Sequence, residues 1–253
     1  MPQHADPFAH HPELRDKITD PEASFFRDFS VARIMAQFPR MAAHRDWPYS
    51  DSAREGLRRA ALDGHAGDLW VFGYGSLMWD PALRFSDLRR ARVDGFARRM
   101  ILVDWRGGRG TEDAPGLMAA LDHGEACEGL AFRVPAERVE VETQILFRRE
   151  IIAPGYIARF VPARLADRTV QALTFLADHA IDDIRGDLTR ADQIEMIATG
   201  AGFLGSSRDY LANIVDHFDT LGIHDEDCVS LLRDVDARLA APARTAQTAK
   251  DGQ

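Results

Sequence analysis

The stretch Leu69-Trp70-Val71-Phe72-Gly73-Tyr74, continued by Gly75-Ser76-Leu77-Met78-Trp79, decides how the rest of the chain is read. A short uninterrupted apolar run ending in glycine is the pattern of a strand buried on both faces that runs into a turn. Two glycines flank Tyr74, so backbone N–H groups of this turn can converge on one point. Such a concavity binds a carboxylate or phosphate oxygen, and glycine lets a ligand approach the backbone closely. An ordinary tight turn has the same composition, and at this level both readings stand. A dinucleotide fingerprint does not fit, because Met78 occupies the place of its third glycine. A Walker loop does not fit either, since Lys17 and Lys250 are the only lysines.

Downstream of this turn, apolar runs predict strands over residues 97–104, 116–121, 128–134, 156–161 and 169–177. Gly107-Gly108-Arg109-Gly110 and Pro115-Gly116 punctuate them. Helical spacing predicts helices over 136–151, 189–198, 207–221 and 225–239. The third is well marked: Ser206 or Ser207 can cap it, Leu211, Ile214, Val215 and Phe218 form one stripe, and Gly222 ends it. Strands followed by helices, without regular alternation, argue for an α+β fold. Upstream, residues 1–66 read as a partly helical N-terminal extension, with helices expected over 24–41 and 54–62. The extension holds five of the nine histidines; those at 4, 10 and 11 fit a solvated terminus better than a metal site. Residues 67–240 form the main domain, and 241–253, rich in Ala and Thr, a flexible tail. The extension is expected to be dispensable for activity.

The 253 residues are 45% hydrophobic and 28% charged, enough apolar material for a sizeable core. No run approaches the ~20 apolar residues that span a bilayer, and residues 1–11 do not resemble a secretory signal. The formal charge of −9 disfavours nucleic acid and anionic membranes as partners. Cys127 and Cys228 form neither a CxxC nor a disulfide framework, consistent with a reducing, cytoplasmic setting.

Glu150 is the strongest candidate for chemistry. On a helix from residue 136 it falls with Val139, Thr143 and Leu146 within an arc of about 60°. A carboxylate on an apolar stripe is either paired or has a raised pKa, and a raised pKa suits a general base or acid. Both readings stand on the residues alone. Arg148 and Arg149 are expected to point to other faces. Ser76 does not sit in a GxSxG elbow. Cys127 lies between Glu125 and Glu128, which raise a thiol pKa. The remaining histidines are dispersed, and no metal-ligand spacing occurs. Arg109 in its glycine-rich loop could grip a carboxylate, and Tyr210, in the first turn of a capped helix, could donate a hydrogen bond to one.

Taken together, these pieces resemble the ChaC-like γ-glutamylcyclotransferases. Trp70 to Trp79 resembles their opening signature, Arg148-Arg149-Glu150 with Gly155-Tyr156 their Arg-Glu motif, and Arg208-Asp209-Tyr210-Leu211 their late Tyr-Leu motif. Arg109-Gly110, Pro115-Gly116 and Cys127-x-Gly129-x-Ala131-Phe132-Arg133-Val134 lie between them in the same order. The resemblance covers about residues 68–240. It implies a γ-glutamylcyclotransferase-like small mixed β-barrel with flanking helices. It also implies cleavage of glutathione, a small-molecule substrate, to 5-oxoproline and Cys-Gly, with no metal or organic cofactor. Glu150 then matches the family's proton-transfer residue, with Tyr74, Gly75, Ser76, Leu77, Arg109 and Tyr210 as substrate-binding positions. The nucleophile is the substrate's own amine, so no Ser or Cys is needed. Gly108 stands where the family commonly has His, and Ser207 where it often has Asn; both bear on how the Cys-Gly half is held.

Two other functions fit the same residues. One is ring closure on another γ-glutamyl peptide or amine. The other is a non-catalytic regulatory binding protein of the same family, which a buried Glu150 argues against.

Overall fold

The computed structural model describes residues 6–241. His4 and residues 242–253 of the expected tail lie outside the described residues. In chain order the elements are α1 Val31–Gln37, α2 Pro39–Ala42, α3 Asp51–Ala61, β1 Leu69–Gly73, β2 Asp87–Asp104, β3 Gly116–Val134, α4 Val139–Glu150, β4 Tyr156–Arg164, β5 Thr169–Ala177, α5 Arg190–Thr199, the short hairpin β6 Ala201–Gly202 and β7 Gly205–Ser206, α6 Ser207–Leu221, and α7 Glu226–Ala240.

Five strands close into a mixed barrel in the order β1-β3-β2-β4-β5, with β5 returning to β1. The pairs β1–β3, β2–β3 and β4–β5 are antiparallel, while β1–β5 is parallel. β1 explains its unalternating sequence: every residue is buried because both faces are covered. Leu69 and Val71 pack with Leu146 and Phe147 of α4 and with Leu173 and Phe175 of β5. Trp70 and Phe72 join the cluster containing Leu211, Ile214 and Phe218 of α6. The strand thus stands between the two helices that carry Glu150 and Tyr210.

Two strands are longer than expected. β2 begins at Asp87 rather than at residue 97, and β3 runs unbroken through 116–134 rather than in two pieces. The first half of β2 is rich in arginine, and its charges are paired locally or across the ladder: Arg89 with Asp87 at 3.1 Å, Arg90 with Glu128 at 2.9 Å and Arg92 with Asp94 at 2.8 Å. Ion pairs between ladder neighbours let a charged stretch remain a strand. In β3 the polar run His123-Gly124-Glu125 is exposed opposite a bulge at Asp94/Phe96, so it needs no apolar face.

The helix expected over 24–41 is broken. Ser24 turns the chain by accepting the N–H of Phe26 at 3.1 Å, α1 starts only where Ser30 accepts the N–H of Arg33 at 3.2 Å, and α2 opens on Pro39. The expectation at 54–62 becomes α3, one turn earlier, capped by Ser50. In the C-terminal part, Thr189 forms a capping box with Asp192, Ser206 caps α6, Gly222 ends it at φ 61°, and Asp225 caps α7.

The extension is part of the packed structure. Leu14 and Ile18 are buried in the main core cluster. His11 is not a solvated histidine: its Nε2 accepts the N–H of Arg90 at 3.0 Å and its Nδ1 lies 3.0 Å from Glu13. Arg54 of α3 is buried and donates to the carbonyls of Ile151 and Tyr49, both at 2.9 Å. Tyr49 N–H donates to the carbonyl of Ile152 at 2.8 Å. The bonds to Ile151 and Ile152 satisfy carbonyls just beyond the end of α4, next to Glu150. Arg27 pairs with the buried Glu142 of α4 at 2.5 Å. The expectation that residues 1–66 can be removed without loss does not accord with these contacts, since removal strips the partners of α4 and of the segment after it.

Candidate active site

The turn after β1 has a particular backbone geometry. Gly75 adopts φ −130° and ψ −129°, and Ser76–Met78 form a single 3-10 turn. Among the described residues, the N–H groups of Gly75, Ser76 and Leu77 donate to no protein acceptor, while Met78 N–H donates back to the Gly75 carbonyl at 2.8 Å. Below the turn, the Tyr74 carbonyl accepts from Nε of Arg98 at 2.5 Å. Arg98 is itself buried and held by Asp225 at 2.6 Å and by the ring of Phe218 at 4.5 Å. An arginine deep in the core therefore fixes where this turn sits.

Gly75 is required by close approach. A Cβ there would lie 2.6 Å from the Tyr210 hydroxyl. We expect Gly75→Ala to displace Tyr210 from the turn, because a contact of that length relaxes only if one of the two moves. The expected result is a loss of kcat/KM of about 100-fold or more, the scale on which a 1 Å displacement costs an active site, with the protein still folded by circular dichroism. Activity within threefold of the parent would show that the contact is not needed.

Glu150 is the last residue of α4 and its side chain is 14% exposed. Thr143 and Leu146 are buried on the same stripe and Val139 is partly so. Burial pushes the Glu150 carboxyl above its ordinary value of 4.5, against the charge and hydrogen bond of Arg149, which pull it down. The carbonyl end of the helix dipole acts in the same direction as burial. The expectation that Arg149 points away is incorrect. Being adjacent at a helix end, the two side chains fold toward one another, with Arg149 Nε 2.8 Å from Glu150 Oε1. Arg149 Nη2 donates to Ser76 Oγ at 2.8 Å, Nη1 donates to the Asp80 carbonyl, and the guanidinium lies 4.1 Å from the ring centroid of Phe26. One buried arginine thus ties the carboxylate, the amide turn and the extension together. Arg148 does point elsewhere, donating to the Arg27 carbonyl at 3.2 Å.

Three buried or half-buried tyrosines face this corner. Tyr74 hydroxyl donates to the Phe175 carbonyl at 2.8 Å and Tyr156 hydroxyl to the Ala119 carbonyl at 2.9 Å. Tyr210 hydroxyl accepts the N–H of Ala119 at 3.3 Å, and no protein acceptor among the described residues takes its proton. Burial raises Tyr74 and Tyr156 well above 10 and Tyr210 to about 12, so all three are neutral donors at physiological pH. Arg109 stands over the ring of Tyr210 at 4.8 Å and donates to the Ser206 carbonyl at 3.3 Å, with no ion pair to a carboxylate among the described residues. Burial lowers its pKa from 12.5, yet it remains charged. Its loop is shaped by glycine: a Cβ on Gly110 would lie 2.2 Å from the Asp104 carbonyl oxygen.

Tyr74, Gly75, Ser76, Leu77, Arg109, Glu150 and Tyr210 all line one cavity of about 180 Å³. Arg149 and Tyr156, quoted above only as parts of a motif, also line this cavity, and sequence reasoning missed the acidic group Asp104 and Asp183 there. It also missed the wall supplied by the extension, to which Phe26, Phe29, Val31, Ile34, Met35 and Trp47 contribute. Arg149 and Tyr156 left a usable signal, their place in the stretch around Glu150; the others left none. Both cysteines are free and buried, and burial raises both thiols; for Cys127 burial outweighs the acidic neighbours invoked from the sequence. Among the described residues, no cluster of His, Cys, Asp and Glu could hold a metal ion.

A closed mixed barrel carrying a buried, raised-pKa carboxylate opposite a turn of free amides defines a class: an α+β barrel with a small-molecule cleft at the β1 turn. The chain belongs to the ChaC-like family, whose model, described as ChaC-like protein, matches residues 69–238. It is 38% identical over 176 residues to the glutathione-specific γ-glutamylcyclotransferase of Escherichia coli, covering 69% of this chain and 75% of that one. It is 30% identical over 194 residues to the human glutathione-specific γ-glutamylcyclotransferase 1, covering 74% and 86%. Among solved structures, a yeast γ-glutamyl cyclotransferase specific to glutathione superposes with a TM-score of 0.62 at 21% identity, over 68% of this chain and 96% of that one, a likeness of fold. The mixed barrel with flanking helices is the expected architecture. Among the described residues, no helix is long and apolar enough to cross a membrane.

Proposed function

We propose that this chain is a γ-glutamylcyclotransferase that cleaves glutathione to 5-oxoproline and Cys-Gly, with Glu150 moving the protons. The observation that carries the assignment of Glu150 is its position: a mostly buried carboxylate of raised pKa in the same cavity as three backbone amides that have no protein acceptor among the described residues. The free N–H groups of Gly75, Ser76 and Leu77 receive the α-carboxylate of the γ-glutamyl unit. Its α-ammonium then lies toward Glu150, which takes a proton from it. The freed amine attacks the γ-carbonyl carbon, forming the ring C–N bond, and the bond from that carbon to the cysteinyl nitrogen breaks. Two protons leave the α-nitrogen over the cycle and two arrive at the departing nitrogen, which leaves as an ammonium. A carboxylate that takes a proton and hands it on performs this transfer. Tyr210, with an unassigned hydroxyl proton, and Arg109, a cation without a carboxylate partner, are the remaining substrate contacts.

Holding an extended γ-glutamyl chain in a ring-closing shape is chiefly an orientation problem, which a fixed turn and an apolar wall address. Ser207 takes no part at the cavity: its hydroxyl is spent on the Leu117 backbone, donating at 2.6 Å and accepting at 2.9 Å. The acidic charge of −9 supports a partner set without nucleic acid, and two free buried cysteines support a cytoplasmic setting. Incubating the full chain with glutathione and measuring 5-oxoproline and Cys-Gly tests the proposal. Both products in equal amounts are expected. Neither product would leave a binding protein, and turnover confined to other γ-glutamyl compounds would move the substrate.

A further inference from the structure

The cavity is larger in chemical scope than the γ-glutamyl unit requires. Beyond Arg149 it continues onto the ring of Phe26 and then along side chains that are almost all apolar. Phe29, Ile34 and Met41 are buried in one cluster, with Val31, Met35, Trp47, Ile152 and Phe203 packed partly buried against it. All but Ile152 and Phe203 come from the extension. The charged groups at this part of the cavity are already satisfied. Arg106 pairs with Asp183 at 2.5 Å, Trp105 Nε1 donates to Asp183 at 3.0 Å, and the Asp104 carboxylate accepts the N–H groups of Arg106 and Arg109. Of the three arginines that line the cavity, Arg106 and Arg149 are paired with Asp183 and Glu150, while Arg109 stands over the ring of Tyr210 and donates to the Ser206 carbonyl at 3.3 Å. Gly108 offers backbone only, since a Cβ there would lie 2.6 Å from Asp104 Oδ2.

A Cys-Gly leaving group brings one carboxylate and one small thiol. The carboxylate has Arg109. The thiol does not account for a wall of aromatic, Val, Ile and Met side chains, several of which stay half-exposed to the cavity. We infer that the wall built by the extension is a subsite for an apolar substituent on the cysteinyl sulfur, so that thioether conjugates of glutathione bearing alkyl or aralkyl groups are substrates, and better ones than glutathione itself. The inference rests on the cyclotransferase reading. The reaction is unchanged: the thioether stays intact, and the leaving group is the S-substituted Cys-Gly. Covering apolar side chains with an apolar group raises kcat/KM, while a charged substituent at the same place loses water without gaining a partner.

The test compares kcat/KM of the full chain for glutathione, S-benzylglutathione and S-carboxymethylglutathione, reading 5-oxoproline. We expect S-benzylglutathione about tenfold above glutathione, the worth of one well-buried apolar group, and S-carboxymethylglutathione below glutathione. In a Val31→Ser/Met35→Ser variant the ratio of S-benzylglutathione to glutathione is expected to fall about tenfold. Cleavage of glutathione with S-benzylglutathione no better than it, or an unchanged ratio in the folded variant, would overturn the subsite and leave the cyclotransferase reading intact. No 5-oxoproline from any of the three would overturn both. The comparison in the parent protein stands even if the variant does not fold.

Discussion

Replacing Glu150 by Gln is expected to lower kcat for glutathione by at least about 10³-fold, within the range that positioned proton transfer contributes. The substitution keeps the shape of the side chain and leaves an amide oxygen for Arg149 Nε, now 2.8 Å from the carboxylate. The fold should therefore survive, and the thermal midpoint should change little. Relief of a desolvated carboxylate acts to raise it. The signature is a fall in kcat with KM nearly unchanged, since the α-carboxylate of the substrate is held by the turn and not by Glu150. The pH dependence should agree. Glu150 must be ionised to take a proton, and burial raises its pKa above 4.5, so kcat/KM should fall on the acid side through a pKa above the ordinary carboxylate range. A kcat within tenfold of the parent would remove Glu150 from its assigned role.

The second large effect is expected at Arg149, which acts through its neighbours as a positioning residue. Its guanidinium bonds Glu150, Ser76 and the Asp80 carbonyl, so Arg149→Met releases the carboxylate and the amide turn together. We expect kcat/KM to fall about 10²-fold, the cost of an active site loosened by about 1 Å. The charge of Arg149 lowers the Glu150 pKa, so its removal should move the acid limb of the profile to higher pH. Loss of packing alone would not shift that limb. Lysine at this position restores the charge without the planar fork. Arg149→Lys should therefore bring the limb back toward the parent while recovering only part of the rate. An unshifted limb in Arg149→Met would contradict the electrostatic link between the two residues.

Much of the fold is legible where burial is regular. β1 is read correctly because both of its faces are covered and its residues are uniformly apolar. α6 is read to its ends because Ser206 and Gly222 mark them chemically. β2 is misread in its first half because Arg89, Arg90 and Arg92 are paired by neighbours that no hydropathy window sees. The extension is misread for a different reason. Phe26, Phe29 and Trp47 dock singly from turns and short helices, so they leave no periodic pattern. Their role appears only when the barrel is present to receive them. At the site, Glu150 stands out because a carboxylate on an apolar stripe is physically anomalous. Arg149 does not, because helical geometry separates adjacent side chains by about 100°, and only the end of α4 lets them fold together. Arg54, which bonds the carbonyls of Ile151 and Tyr49, is an ordinary helix-surface arginine in the sequence.

In the proposed reaction the substrate's own amine, and not water, attacks the γ-carbonyl. The most direct measurement is turnover of glutathione by the full chain in water enriched in oxygen-18, with the products read by mass spectrometry. Ring closure predicts 5-oxoproline that carries no oxygen-18, released together with Cys-Gly. Free glutamate carrying one oxygen-18 in its γ-carboxylate would instead show hydrolysis, and would contradict the account.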